Sequence, residues 1–533
     1  MPAPSYSVDV RPWIPVRRAD GIDDVGLRTL LTDAHRIEDL ALPLPPARSA
    51  LYRYLAALCA RITSLDDPDM PLDDWLQIRR KLLESPDGFD PAAVHAYFDT
   101  YRDRFNLFDP LHPWLQDAAL AVQCPKRSGI NALVYGRPAG NNLVFFNSHH
   151  TDTNPQPLPA RETVWYLLAY HSYGPSGRAS VRKVGSFSSG QLQAGPLRST
   201  VSFHPRGRTL YETLLLHLVP YRGDGQDPDA DACPWEQPHV PEPMQAPPEV
   251  TWPGRLLTGR SLHAVLLIAD PSGEQAIDAY LTWATPHPAL DATDPYLIYD
   301  LDPKAPAERR RSPRRADASR ALWRELDALL LAGDEHRPGC RPEAFTTLND
   351  LPKEVSANLR VWVCGFDQEG QVNNRIWYTA LTPRIWLWAQ EHDPAKASRI
   401  ADCCAAAETL AAVLRTAADQ AWRDTTSLRQ QAAPRRGKQR PSLWAQEALA
   451  AYWPRAEQAF WQLIDDARPA HGVFAAEAIT ALCQTTSAAL NHFPQAGPAL
   501  ARAVQALRSA GAPPRDTRPT PGDAHAPSPH AQP

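Results

Sequence analysis

Of the eight cysteines, at positions 59, 124, 233, 340, 364, 403, 404 and 483, no two stand at C-x-x-C spacing. That excludes a standard zinc ribbon and leaves no disulfide framework, so the thiols read as reduced, small apolar residues. No apolar run reaches bilayer length, and the first thirty residues lack the apolar region of a signal peptide. A cytoplasmic location without a membrane partner is expected. Internal repeats are absent. So are catalytic signatures: no G-x-x-x-x-G-K-[ST], no G-x-S-x-G and no H-E-x-x-H occurs. The nearest thing to an active site is His149-His150-Thr151-Asp152, with His171 close by in sequence. Adjacent histidines on a strand point to opposite faces, so one loop cannot gather them on a metal. His392-Asp393 meets the same objection. No catalytic residue, metal ligand or cofactor is therefore assigned; a metal-dependent nuclease built on His149, His150 and Asp152 stands as an alternative.

What is present is a basic stretch inside an acidic chain. Between Asp117 and Glu212 the only acidic residues are Asp152 and Glu162, against ten cations: Lys126, Arg127, Arg137, Arg161, Arg178, Arg182, Lys183, Arg198, Arg206 and Arg208. Ten minus two gives +8 in a protein of formal charge −5, so the remainder stands at −13. The middle of the stretch, HSYGPSGRASVRKVGSFSSGQLQAGPLRSTVSFHPRGR, interleaves glycines with cations. Glycine lets a backbone approach a partner closely and turns bare N–H groups toward phosphate. The composition points to an anion-binding surface, most simply for a nucleic-acid backbone. A solvated loop of chance composition would give the same count.

At 533 residues and 43% hydrophobic content the chain can bury at least two cores. VRPWIPVRRADG reads as a strand ending in a turn, and Thr29–Asp39, Ala47–Ile62 and Leu72–Glu84 as helices. Leu51, Tyr54, Leu55, Leu58 and Ile62 form one apolar stripe of the second. FNLFDPLHPWLQ, residues 105–116, reads as packing under a loop. Residues 130–146 suggest a long loop closing onto a strand, Arg161–Tyr170 a short helix, and Thr209–Leu218 a buried one. Gly223–Val250, with seven Asp or Glu, reads as an exposed loop. HAVLLIAD, AIDAYLTWA and LRVWVCGFD read as strands, the last followed by a polar turn at Gln368–Asn374. A second basic cluster, KAPAERRRSPRR, ends at Arg315.

After about Pro383 the pattern changes. Ile400, Cys403, Ala407, Leu410, Leu414, Ala417 and Ala421 repeat every three and four residues, and Leu449, Tyr452, Ala456, Ala459 and Leu463 do likewise. Pro454 is expected to kink or divide that second helix. Residues 475–490 and 498–507 supply two more. The fold class expected is α+β: a mixed α/β domain over 1–382, a four-helix bundle over 383–512, and a disordered proline-rich tail over 513–533.

Several strings, taken in order, match one family. They are VRPWIPV at 10–16, FNLFDPLHPWLQ, GNNLVFFNSHHTD, the glycine loop with R-x-x-V-x-F-x-P-R-G-R-T-L-Y-E-T-L-L-L over 198–216, and CPWEQ. The chain resembles the large subunit of the type I-E CRISPR surveillance complex, Cascade (the CasA family), from Trp13 to about Leu507. The resemblance implies a non-catalytic subunit for antiviral defence. It would sit at the 5′ handle of the guide RNA among other Cascade subunits and inspect double-stranded target DNA for the protospacer-adjacent motif. It would then help to open the duplex and present the complex to a recruited helicase-nuclease. Base pairing with the guide reads sequence, while the protein reads a short motif and duplex shape.

The resemblance also places residues. The motif-reading glycine loop matches Gly174, Pro175, Ser176 and Gly177, followed by Arg178, with Arg182, Lys183 and Arg198 as a basic patch. The long loop that reaches motif and RNA handle matches residues 131–142, with Asn131, Arg137, Asn141 and Asn142 as polar contacts. The wedge that parts the first base pairs matches Gln368 or Gln371. Two departures stand out. Where some relatives have two zinc-binding C-x-x-C pairs, this chain has only Cys124 and Cys233, so no zinc is expected. The minor-groove lysine of some members falls near Ile277–Thr282, which has none; either motif preference differs here, or Arg178 or Lys183 takes that role. A purely structural scaffold without DNA contact is the second alternative.

Overall fold

The helix Pro45–Thr63 is buried on every side from Ser49 to Ala60, not along one stripe alone. The computed structural model describes residues 3–139, 154–220, 231–247, 249–259, 261–288, 293–302, 304–306, 311–331, 341–369, 373–426, 441–466 and 468–512. The chain divides into two compact units, Met1–Pro394 and Ala395–Pro533. In the first, mixed sheets and helices surround that central helix; the fold is α+β.

A helix enclosed all round must satisfy its polar side chains internally. Arg53 forks onto Asp294, with Nε to Oδ2 at 2.8 Å and Nη2 to Oδ1 at 2.9 Å, and also donates to the Ser49 carbonyl. Ser49 starts a hydrogen-bonded chain whose direction can be assigned from its end. His217 Nδ1 lies 2.6 Å from the Thr213 carbonyl oxygen and so carries the proton. His217 Nε2 then accepts from His204 Nδ1 at 3.0 Å, and His204 Nε2 accepts from the Ser49 hydroxyl at 2.9 Å. Tyr173 donates to Ser49 in turn. Burial drives both imidazoles toward the neutral form: His217 falls to about 3, and His204 well below its ordinary value.

Among the described residues, three three-stranded sheets position the rest. Ile14–Arg18 lies between Gly21–Val25 and Asp39–Leu40. The helix expected over 29–39 stops early, as Leu27–Thr32 and a 3-10 turn at Ala34–Arg36. The chain turns back there so that Asp39 can pair with Arg17 in the sheet and meet Arg48 and Arg206 with its carboxylate. Gln275–Trp283 is flanked by His263–Ala269 and Leu158–Pro159, and Arg360–Glu369 by Val201–Arg206 and Asn373–Leu381.

The acidic connection after 223 is also not simply an exposed loop. In its described part Cys233 and Trp235 are buried. Glu236 and Asp231 meet Arg61, and Trp235 Nε1 donates to the Tyr97 hydroxyl. Phe105, Leu107 and Trp114 of the aromatic run are core residues.

Among its described residues the second unit has four long helices: Pro394–Thr425, Leu443–Leu463, Ala470–Thr486 and Ala496–Gly511. The seam of the first is buried at Ile400, Cys403, Ala407, Leu410 and Leu414, but then passes through Ala418 in place of Ala417. A 3.6-residue turn drifts against a seven-residue repeat, and a helix of 32 residues is long enough to show it. Pro454 sits inside Leu443–Leu463 without dividing it. The proline-rich tail over 513–533 lies outside the described residues.

Candidate nucleic-acid interface

The glycine-rich stretch is a β-hairpin, not a loop. Helix Ala160–Tyr173 ends at Gly174, and after Pro175 and Ser176 the chain enters strand Gly177–Val184, which pairs with Phe187–Leu192. The turn into the strand is made at Gly177, whose φ of +126° suits glycine alone. The hairpin packs its inner face on Gln275–Trp283: Thr282 Oγ1 donates to the Ser180 carbonyl and Trp283 Nε1 to the Ser189 carbonyl. A strand alternates sides, and that alternation separates two neighbouring cations. Lys183 points out. Arg182 points in.

Arg182 is 1% exposed. Its Nη2 meets Asp117 Oδ2 at 2.6 Å, its Nη1 the Trp283 carbonyl at 3.0 Å and its Nε Gln123 Oε1 at 2.7 Å, with the guanidinium over the Trp283 ring. It is withdrawn from the expected basic patch because every nitrogen already has a partner and no surface remains for phosphate. Arg198 is withdrawn because it is buried: it donates Nη1 to the Tyr173 carbonyl at 2.9 Å and its guanidinium lies over Phe366. Burial lowers its basicity while the neighbouring Tyr135 supports it.

Most other cations of the stretch are engaged as well. Arg127 meets Asp278, Arg161 meets Asp24, Arg206 meets Asp39, Arg208 meets Glu212, and Arg137 donates to the Gln156 carbonyl. Lys126, Arg178 and Lys183 remain exposed, and none of the three has an ion-pair partner among the described residues. Arg178 and Lys183 belong to the hairpin strand Gly177–Val184, on either side of a register shift between Arg178 and Arg182. Arg127 borders the strand Gln275–Trp283 through Asp278, with Lys126 beside it in sequence. They were not singled out from sequence, because Asp278 lies 151 residues beyond Arg127.

Three stretches assigned separately from sequence meet at one aromatic cluster. Tyr173, Leu197, Leu297, Tyr299 and Phe366 form its core, with Tyr135 and Trp377 packed against it. Tyr135 comes from the segment that holds Asn131 and Arg137, Tyr173 precedes the Gly174–Gly177 turn, and Phe366 and Trp377 belong to the strands flanking the late turn. Phe366 and Trp377 stack at 6.1 Å and 19°. Gln368 follows two residues after Phe366 and pairs with Asn374 beyond an irregularity in the ladder. The neighbouring Asp367 accepts from the Ala318 amide and so ties this hairpin to the segment after the second basic cluster.

That second cluster is partly structural. Arg314 forks onto Asp300 and reaches Glu325, while Arg311 lies over Tyr299. Asn131 also departs from expectation. It is 1% exposed, and its amide has no hydrogen-bond partner among the described residues. It is not a surface contact in this state. Asn141, Asn142, His149, His150, Asp152 and Gln371 lie outside the described residues. Among the described residues no group of three or more His, Cys, Asp or Glu could hold a metal ion. Cys124 and Cys233 are buried thiols, their acidity suppressed by burial. No described helix is long and apolar enough to cross a membrane.

Comparison with known proteins adds to this geometry. Residues 10–491 match the sequence model of the family described as CRISPR-associated protein Cse1. A CRISPR-associated protein CasA/Cse1 from Thermus thermophilus is 30% identical over 329 residues, 60% of this chain. The match spans 59% of that relative's length. Among solved structures, a chain of a "CRISPR RNA-guided surveillance complex" superposes with a TM-score of 0.83 at 37% identity, covering 95% of this chain and 99% of that one. Thermobifida fusca Cse1 shares the fold with a TM-score of 0.72 at 18% identity, over 95% of this chain and 98% of that one.

Proposed function

The chain belongs to the CRISPR-associated Cse1 (CasA) family, and on that premise we propose that it is the non-catalytic DNA-recognition subunit of a type I-E RNA-guided surveillance complex. Its partners are then the guide RNA with its 5′ handle and the other Cascade subunits. It inspects double-stranded target DNA for the adjacent motif, assists strand opening and recruits the helicase-nuclease. The observation that supports this most is the convergence of the Asn131–Arg137 segment, the Gly174–Gly177 turn and the Gln368 strand on one aromatic cluster. Elements rooted together keep a fixed spacing, which a reader of one short motif needs. The exposed Arg178 and Lys183 of the hairpin, without an ion-pair partner among the described residues, supply cations for the backbone. Either takes the place of the missing lysine at Ile277–Thr282.

Gln368, with Gln371, serves as the wedge. Parting the first base pair costs a few kcal/mol before the hybrid offsets it, and a flat amide stacks on the opened step while offering both donors and acceptors. Replacing both glutamines by alanine slows opening of a fully paired target strongly. A target already mismatched beside the motif opens at the wild-type rate. Equal slowing of both substrates removes the wedge.

The recognition reading as a whole is tested by duplex binding of the reconstituted complex over a panel of adjacent motifs. Affinity must vary with the motif, and Arg178→Ala with Lys183→Ala must weaken every duplex. Equal affinity for all motifs would leave a scaffold. Divalent-dependent cleavage by the pure chain would favour the nuclease.

A further inference from the structure

Strand Gln275–Trp283 and the hairpin Gly177–Leu192 belong to different sheets, so no ladder among the described residues joins them. The hairpin's own ladder shifts register between Arg178 and Arg182, and Ser180 falls in that gap. Side-chain bonds hold Ser180 instead. Thr282 Oγ1 donates to its carbonyl at 2.6 Å, and its hydroxyl stands 2.7 Å from that of Ser128. Ser128 comes from a third segment. Its amide donates to the Ala279 carbonyl at 2.7 Å, while its Oγ accepts the Leu281 amide at 2.9 Å and lies 3.2 Å from the Leu281 carbonyl. Gly129 follows with a φ of +83°, which turns the chain off the sheet edge into the 3-10 turn Ile130–Ala132.

The proton of the Ser128 hydroxyl has one place that satisfies every contact. A serine oxygen offers one donor and two lone pairs, and one lone pair already takes the Leu281 amide. If the other takes the Ser180 proton, the Ser128 proton is free for the Leu281 carbonyl and all three contacts are hydrogen bonds. The opposite direction would leave that carbonyl without the Ser128 donor. Ser180 therefore donates, and one hydroxyl joins the sheet, the hairpin and the segment that carries Asn131.

We infer that Ser128 is a positioning residue for motif reading: its hydroxyl fixes the distance between the Asn131–Arg137 segment and the Gly174–Gly177 turn by fastening both to strand Gln275–Trp283. Ser128 stands three residues before Asn131 and Ser180 three after Gly177, so little chain is left to absorb play at the junction. The aromatic cluster holds the same elements from their other sides, through Tyr135 and Tyr173. Asn131 is thus bracketed by Ser128 and Tyr135, and the glycine turn by Tyr173 and Ser180.

That the fastening governs motif reading rests on the roles proposed above for these two elements; the fastening itself does not, and the two are measured separately. In amide exchange of the full-length chain, Ser128→Ala should lose about tenfold in protection at Leu281, the effect of one hydrogen bond, while Ser180→Ala leaves it within about twofold. In the reconstituted complex the measured quantity is the ratio of affinities for motif-bearing and motif-free duplex. Either variant should lower that ratio about fivefold, part of the worth of one base-edge contact. Motif-free duplex should bind within about twofold of wild type, because Arg178 and Lys183 keep their charge. The double variant should fall no further than Ser128→Ala alone, since both changes remove the same bond, and Ser128→Thr, which keeps the hydroxyl, should retain the wild-type ratio. Unchanged protection at Leu281 in Ser128→Ala, or losses that add in the double variant, overturns the fastening. Lost protection with an intact ratio overturns the positioning role and leaves the recognition reading standing. A wild-type complex that binds all motifs equally sinks the recognition reading and the positioning role together, whatever the exchange shows. Should Ser128→Ala fail to fold, the ratio in Ser180→Ala decides.

Discussion

The two compact units carry opposite chemistry in their interiors. Among the described residues of the helical unit, the buried polar side chains are Thr425 and Thr486, and each bonds a carbonyl one turn back in its own helix. The α/β unit buries Arg53, Arg79, Arg182 and Arg341, with Asp294, Glu325 and four histidines among them. One interior is packed alanine and leucine, and its cost of disruption is a cavity. The other is a set of polar groups whose cost of disruption is an unmatched charge. The pairings are also far apart in sequence: Arg53 and Asp294 are separated by 241 residues, and Arg182 and Asp117 by 65. The polar interior thus sets which distant segments meet, whereas the helical interior sets only which face points inward.

The sharpest way to break that contrast is Asp294→Ala. It strands the Arg53 guanidinium in a dry site and should cost about 3–5 kcal/mol in denaturant unfolding. Arg53→Met combined with Asp294→Leu should recover most of the loss; failure to do so would mean the pair does more than satisfy itself. In the helical unit Leu414→Ala should cost about 2–5 kcal/mol through its cavity, while Leu414→Met costs less than about 1.5 kcal/mol. An equally severe Leu414→Met would show that the seam is not ordinary apolar packing.

Acid should separate the units next. His171, His204 and His217 are held neutral in the fold, the first at about 4 and the last at about 3, whereas the unfolded chain protonates them below about 6.5. The unfolded state then binds more protons between about pH 6.5 and 4. Their contribution is full above 6.5 and falls as pH drops, by up to about 1.4 kcal/mol per pH unit for each histidine. Limited proteolysis at pH 5 should cut the α/β unit first, because the described buried residues of the helical unit include no histidine. Cleavage of the helical unit first would contradict the assignment.

The smallest effect on stability, and the most local, concerns the hairpin. Lys183→Ala should leave stability within about 0.5 kcal/mol and reduce the log–log salt slope of duplex binding by about 0.9. Arg182→Ala should instead destabilise by about 3–5 kcal/mol, because it leaves Asp117 unpaired. If the two variants behave alike, the inward and outward faces of this strand are misassigned.

Legibility followed the range of the interactions. Strands at HAVLLIAD, AIDAYLTWA and LRVWVCGFD were readable because their apolar character is local, and so was the helical seam up to Leu414. The hairpin at Gly177–Leu192 was not, since serine and glycine give little strand signal and its stability comes from packing on Gln275–Trp283. The basic stretch was visible as charge but not as surface. Its partners Asp24, Asp39, Asp117 and Asp278 all lie outside the window in which the charge was counted.

Sequence by itself determined the class of the chain: an α+β unit followed by helices, without catalytic signatures, carrying an ordered series of strings that resembles one family. Those properties reside in composition, periodicity and motif order, each of which acts within a few turns or strands. Only the tertiary structure decided which cations are available, by burying Arg182 and Arg198 and leaving Arg178 and Lys183 outside. It also decided that His204 and His217 join Ser49 in one buried hydrogen-bonded chain. The physical reason is common to both: a charge is neutralised, or a ring nitrogen satisfied, by whatever the fold brings within hydrogen-bond distance, and that neighbour can be a hundred residues away.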